Sequence, residues 1–83
     1  MLKTSFERER AISLCVELCK NFKGDKSRGP CLANETISDW VCDVAHDPRL
    51  PVDDEEENQC PAYGVTAFHF VEVSEDCDLI RAV

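Results

Sequence analysis

Residues 5–22 read SFERERAISLCVELCKNF, and the spacing of their apolar side chains predicts an amphipathic α-helix. Apolar residues recur at intervals of three and four positions, which places them on one stripe of a helix. The stripe consists of Ala11, Leu14, Cys15, Leu18, Cys19 and Phe22. Because two cysteines belong to it, the helix is expected to carry two sulfur atoms, one turn apart, toward the interior.

The chain is short and rich in cysteine, with 83 residues, six of them Cys, and a hydrophobic fraction of 43%. A chain of this length forms one hydrophobic core at most, so we expect residues 1–83 to be a single cysteine-rich domain. Domains this small often depend on disulfides, a metal ion or a partner because their core is thin. The cysteines therefore need a chemical role.

The charge is strongly negative, with a formal net charge of -8. Such a charge repels nucleic-acid backbones and anionic lipid, which argues against nucleic-acid and membrane binding. Residues 1–30 hold seven Lys and Arg against four Asp and Glu, whereas residues 31–83 hold two against thirteen. A solvated surface is the simplest interpretation; attraction between the two parts, or docking onto a larger protein partner with a basic surface, are the alternatives.

The expected location of the chain determines how its cysteines are interpreted. The N-terminus is charged where a signal peptide would be apolar, and no long apolar run follows, so we expect a cytoplasmic protein without a membrane segment. In a reducing cytosol six cysteines favour thiolate ligands. In a secreted chain, or inside a hyperthermophile, the same cysteines favour disulfides.

The remaining elements are predicted less sharply than the helix. Residues 34–44 fit a short helix or a single turn better than a strand, although the Trp-Val-Cys triplet at 40–42 is compatible with a strand. Residues 46–58 contain two prolines and the acidic run 53–57, which is typical of an exposed loop. Residues 65–73 alternate as a strand does, with Phe68 and Phe70 toward the core. The expected fold is a small α+β domain: one N-terminal helix, a cysteine-rich irregular middle and C-terminal β-strands.

Four short motifs carry a resemblance to a known family. The motifs are Cys19-Lys20-Asn21-Phe22, Gly29-Pro30-Cys31, Trp40-Val41-Cys42 and Cys60-Pro61-Ala62-Tyr63. Between residues 15 and 63 the chain resembles the small cysteine-rich subunits of glycyl-radical enzymes such as benzylsuccinate synthase and hydroxyphenylacetate decarboxylase. The resemblance implies a fold like that of high-potential iron–sulfur proteins, [4Fe-4S] clusters held by cysteine, and no catalysis by the subunit itself. This chain departs from the family in opening with C-x3-C rather than C-x2-C, and it is also similar to short uncharacterised archaeal cysteine-rich proteins.

A ligand set follows from the surroundings of the cysteines. Each of four cysteines lies near an aromatic or turn residue, and aromatic residues around a cluster exclude water. The set is Cys19, Cys31, Cys42 and Cys60, with Cys15 as a fifth candidate whose alternative is simple packing in the core. We expect Cys77 to be free or disulfide-bonded.

Histidine provides a rival site. His46 follows Cys42 by four residues, so that three cysteines and His46 would make a tetrahedral zinc site if the segment were helical. An exposed loop histidine is the plainer interpretation of His46, and a half-buried packing residue is that of His69.

The leading functional prediction is a small, non-catalytic protein organised around a [4Fe-4S] cluster, serving as an iron–sulfur accessory or electron-transfer module. A structural zinc protein and a metal-free, disulfide-stabilised acidic interaction module are the alternatives. An enzyme is disfavoured, because no cysteine has a neighbouring base and no C-x2-C redox pair is present.

Overall fold

A computed structural model describes residues 2–83, with side chains from Phe6 onward. It contains one helix, α1 (Leu2–Asn21), and four strands, β1 (Cys31–Ile37), β2 (Trp40–Val44), β3 (His69–Val73) and β4 (Leu79–Ala82). Three 3-10 turns, Lys26–Arg28, Pro51–Asp54 and Glu56–Asn58, lie in the connections. The predicted small α+β fold is confirmed.

The helix packs through part of the predicted stripe, together with Ile12 and Val16, which the prediction did not include. Ala11, Cys15 and Cys19 are fully buried, and Ile12 and Val16 are partly buried beside them. Leu18, which the periodicity assigns to the same stripe, is 39% exposed. The buried stripe is therefore narrow and formed by small side chains, which allows the helix to approach the sheet closely.

The four strands form one sheet in the order β1-β2-β3-β4. Neighbours β1 and β2 are antiparallel, β2 and β3 are parallel, and β3 and β4 are antiparallel. The expectation of a helix or turn over residues 34–44 is wrong, because these residues belong to β1, a tight turn and β2. The turn places Asp39 at φ 78, a left-handed conformation that aspartate tolerates.

Residues 40–44 are a strand because both faces of β2 are covered, which favours β-branched and aromatic side chains over a helical stripe. On one face, Trp40, Cys42 and Val44 are buried in the cluster that contains the helix stripe. On the other face, Val41 packs with Cys60 and Ala67. We call the side of the sheet that packs on α1 the inner face and the opposite side the outer face.

The crossover from β2 to β3 runs over residues 45–68 and covers part of the outer face. It includes a cis peptide between Asp47 and Pro48 and the acidic segment, residues 53–57. Most of that segment is exposed as predicted, but Asp53 is 3% exposed and the surrounding backbone forms 3-10 turns. The expectation that this loop buries nothing is therefore corrected at Asp53.

The predicted C-terminal strand is present but shorter than the alternation in the sequence indicates. Residues 62–67 form a tight turn in which Val65, Thr66 and Ala67 donate backbone hydrogen bonds to the carbonyl of Ala62. Phe68 is consequently 62% exposed rather than in the core, and Phe70 is half-buried on the outer face. Within residues 2–83, the single helix falls short of the length and apolar character that crossing a bilayer needs.

Candidate functional site

All six cysteines are paired in three disulfides. Cys15 bonds to Cys42 and Cys19 bonds to Cys77, so two consecutive turns of α1 are tied to the sheet. The Cα–Cα separations of these pairs, 5.4 and 5.6 Å, lie within the range usual for disulfides. The helix is thus fixed covalently to β2 and to the β3–β4 connection.

The third disulfide, Cys31–Cys60, lies apart from the other two. Cys60 is buried in the cluster on the outer face, and Cys31 packs against that cluster. The bond ties the start of β1 to the end of the crossover, across 29 residues of chain. It therefore holds the crossover against the outer face.

The pairing bears on the predicted ligand set of Cys19, Cys31, Cys42 and Cys60. These four sulfurs belong to three different disulfides, and the sheet separates Cys31 and Cys60 from the other two. A [4Fe-4S] cluster or a zinc tetrahedron needs four free ligand atoms around one point. In this oxidised arrangement the residues do not fit either group, and the residues described hold no group of three or more Cys, His, Asp or Glu placed for a metal ion.

His46 lies between two carboxylates. Its Nδ1 is 2.9 Å from Asp53 Oδ1 and its Nε2 is 2.9 Å from Glu75 Oε1, so both ring nitrogens already have partners. The hydrogen bond to Asp53 raises the pKa of His46, burial opposes that rise, and the bond to Glu75 adds to it. Cys42, the predicted companion of His46 in a zinc site, points to the inner face instead.

Asp53 organises the start of the acidic segment. Its Oδ2 accepts hydrogen bonds from the backbone N–H groups of His46 and Leu50, at 3.0 and 2.9 Å. Burial alone would raise the pKa of Asp53, but the hydrogen bonds from Leu50 and His46 hold it below its ordinary value. Gly29 lies against this carboxylate at φ 65, where a Cβ atom would collide with Asp53 Oδ1. Asp53 is therefore a structural residue and not part of the exposed acidic surface.

The outer face carries a cavity of about 190 Å³ next to the Cys31–Cys60 disulfide. Its apolar lining comes from Val41, Phe70, Cys60 and Tyr63, and the rings of Tyr63 and Phe70 meet edge to face at 5.5 Å. Its polar lining includes Asp43, Glu72 and Arg49. We call this space the outer cavity.

Two acidic residues lie side by side in the outer cavity. Asp43 on β2 and Glu72 on β3 are register partners in the parallel pair of strands, and Glu72 is 6% exposed. Glu72 accepts a hydrogen bond from Arg49 Nη1 at 2.6 Å and forms an ion pair with Arg81, whose Nε lies 3.2 Å from Glu72 Oε1. Its charge is therefore balanced by two guanidinium groups.

Among residues 6–83, whose side chains the structure describes, Asp43 has no such partner. Its Oδ1 is shielded from solvent and receives no hydrogen bond from these residues. Burial, and then the nearby charge of Glu72, raises the pKa of Asp43 to about 7. A buried carboxyl oxygen without a donor is rare in folded proteins, and Asp43 lines the outer cavity, so a positively charged ligand group in the cavity would stabilise this carboxylate.

Sequence reasoning missed the outer cavity. The available signal was one acidic residue inside each of two otherwise apolar strands, Asp43 in WVCDV and Glu72 in HFVEV. That signal has no meaning until the two strands are known to be neighbours in register. Of the other predicted positions, His69 is half-buried as expected, and its ring stacks on Trp40 with centroids 4.7 Å apart.

Comparison of the chain with protein-family models, with curated proteins and with solved structures finds no match. The features that bear on function are the disulfides, the surface charge and the outer cavity.

Proposed function

We propose that this protein is a metal-free, disulfide-stabilised interaction module that binds a basic surface of a larger protein. The observation that carries the proposal is a run of exposed carboxylates, Asp54, Glu55, Glu56 and Glu57, on a segment held in place by the Cys31–Cys60 disulfide and by buried Asp53. Fixing charged groups before binding lowers the entropy that association costs.

Intramolecular pairing neutralises this run only weakly. Arg28 approaches Glu55 and Glu57 at 3.9 and 4.0 Å, and all three side chains are substantially exposed. Arg49 pairs with Asp54 at 3.0 Å. Among the side chains that the structure describes, Arg28 is the one basic residue of the N-terminal third that forms an ion pair with an acidic side chain. Because exposed pairs of this kind contribute little, most of the negative potential acts outward.

An apolar patch beside the outer cavity suits a protein partner. Tyr63, Val65 and Phe68 are 46%, 70% and 62% exposed; the first two lie in the tight turn at residues 62–67, Phe68 directly follows it, and Tyr63 also lines the outer cavity. Interfaces combine apolar and aromatic contacts with surrounding charge, whereas a purely solvated surface needs no such patch.

The test uses hexalysine as a defined basic probe at low ionic strength. We expect the triple variant Glu55→Gln, Glu56→Gln, Glu57→Gln to weaken binding severalfold more than a control with the same change in net charge. The control triple variant replaces Glu9, Glu17 and Glu35, all exposed, by Gln. Equal loss in both triple variants would contradict the proposal, because binding would then depend on net charge and not on the acidic segment.

The state of the sulfurs has a separate test. Protein purified without oxygen should contain neither iron nor acid-labile sulfide, and alkylation before reduction should find no free thiols. About four iron and four sulfide per chain would overturn the metal-free proposal in favour of a cluster, and about one zinc would favour a zinc site.

The cytoplasmic location stays a prediction, and the redox state of the cysteines in the cell tests whether the disulfide form exists there. Disulfides persist in oxidising compartments and in the cytosol of hyperthermophiles. Rapid alkylation of thiols in fresh cells of the source organism should therefore leave all six cysteines unmodified if the disulfide form is the working form.

A further inference from the structure

The outer cavity contains one hydrogen-bond acceptor that the protein does not satisfy. Asp43 Oδ1 is enclosed and has no donor within the described residues. Leaving such a group unpaired costs stability, since a buried acceptor without a partner loses its hydration and gains nothing in return. Asp43 lines the outer cavity, so a positively charged donor in the cavity would stabilise this carboxylate and recover part of that loss.

The charges around Asp43 indicate which kind of donor fits. Glu72 is paired with Arg49 and Arg81, and Arg49 also pairs with Asp54. Together with an ionised Asp43, this group has three negative side chains and two positive ones. One added positive charge would balance the group, so a cation suits the outer cavity better than a neutral donor.

The walls of the outer cavity indicate the rest of the ligand. Val41, Phe70 and Tyr63 provide apolar and aromatic surface next to Asp43. An alkyl stem that ends in a charged group packs well on such walls while its end reaches the carboxylate. Because Asp43 Oδ1 is enclosed, a guanidinium cannot pair with both oxygens of this carboxylate, whereas an ammonium, which acts as a point charge, needs only one.

We infer that the outer cavity receives one lysine side chain of the basic partner, with its alkyl stem against Tyr63 and Phe70 and its ammonium donating a hydrogen bond to Asp43. This inference rests on the proposed function, because it takes the partner to be a basic protein. It adds a specific contact to a surface that otherwise attracts positive charge without selecting a residue.

Binding of lysine in this way should be coupled to proton release. Burial and Glu72 raise the pKa of Asp43 to about 7, while Arg49 lowers it and Asp53 raises it by smaller amounts. At pH 7 a substantial fraction of Asp43 is therefore protonated in the free protein. An ammonium beside the carboxylate favours the ionised form, so the proton leaves to buffer when the lysine binds.

The experiment is isothermal titration calorimetry of the full chain with hexalysine at pH 7, in two buffers that differ in ionisation enthalpy. We expect Asp43→Asn to weaken binding about tenfold, as loss of one charge-assisted hydrogen bond does, and to abolish the proton release seen with the wild type. Tyr63→Ala should weaken binding while leaving proton release in place. Asp76→Asn, which removes an exposed carboxylate, is the matched control and should change affinity less than twofold.

The outcomes separate this inference from the proposed function. If Asp43→Asn binds hexalysine within twofold of the wild type, or releases the same number of protons, the lysine contact is refuted. If the Glu55, Glu56 and Glu57 triple variant still loses affinity in that case, the acidic segment remains the binding surface. If neither variant loses affinity relative to its control, both proposals fail.

Discussion

Replacing Asp43 by Asn should stabilise the protein, and the gain should depend on pH. Asp43 is largely buried, has an oxygen without a donor, and lies beside Glu72. Its pKa is raised from 3.8 to about 7 in the folded state. Ionisation of this side chain therefore opposes folding, whereas a neutral amide of the same shape does not.

The size of the stabilisation follows from the coupling between ionisation of Asp43 and folding. Because the folded pKa is the higher one, the penalty is absent below pH 3.8, grows as the pH rises between 3.8 and about 7, and is constant above that. One pKa unit corresponds to about 1.4 kcal/mol, so the full penalty has a ceiling of about 4 kcal/mol. For a domain of this size such a change corresponds to a shift in Tm of about 15 °C or more.

The assay is urea unfolding of the wild type and Asp43→Asn at pH 3.5 and pH 8, with the disulfides intact. The two proteins should have nearly equal free energies of unfolding at pH 3.5, where Asp43 is protonated. At pH 8 the variant should be the more stable by several kcal/mol. Asp76→Asn, at an exposed position, controls for the change in net charge. A difference between wild type and variant that is the same at both pH values would refute the reasoning, because it would show that Asp43 does not ionise at a cost.

Three further predictions concern the framework. Gly29→Ala should lower the free energy of unfolding by about 2 kcal/mol or more, because φ is 65 and the added Cβ meets Asp53 Oδ1. Gly64→Ala, where φ is 83 and the space is open, should lower it by about 1 kcal/mol. Urea unfolding measures both, and equal losses would show that the contact with Asp53 has no effect. Replacing Cys31 and Cys60 together by Ala should lower the free energy of unfolding by about 3 to 4 kcal/mol, since the disulfide links residues that are 29 positions apart. An unchanged midpoint of urea unfolding would show that this disulfide does not stabilise the fold. Because the pKa of His46 is raised in the folded state, its pairing stabilises the fold below pH 6.5, and this contribution is lost as the pH rises through the folded pKa. His46→Ala should therefore remove one step from the pH dependence of the free energy of unfolding. The same pH dependence in the variant and the wild type would contradict this prediction.

The helix and its buried sulfurs were predictable because they depend on local periodicity. A stripe with the helical repeat must face something apolar, and Cys15 and Cys19 are the most deeply buried residues on it together with Ala11. The exposure of the acidic segment was predictable for a similar reason, since consecutive carboxylates cannot be buried together. Asp53 is the exception, because the backbone N–H groups of His46 and Leu50 are folded around it.

The middle of the chain was predicted less well because its structure depends on pairing. Residues 40–44 show no clear alternation in polarity, since Trp40 and Cys42 meet the helix while Val41 meets the crossover. Periodicity alone does not distinguish a strand covered on both faces from a short buried helix. Phe68 shows the opposite case: it continues an alternating pattern, but the turn at residues 62–67 ends before the sheet begins and leaves it exposed.

The amino-acid sequence was sufficient to predict a small, acidic α+β protein with a cysteine-bearing amphipathic helix and an exposed acidic segment. Composition and short-range spacing are sufficient for these features. The pairing of the cysteines follows from the three-dimensional fold, since six cysteines allow 15 connectivities and a bond requires that two Cα atoms come within about 7 Å. Only the tertiary structure placed Asp43 beside Glu72, because strands that are 29 residues apart in the chain become neighbours through hydrogen bonding that no local pattern encodes.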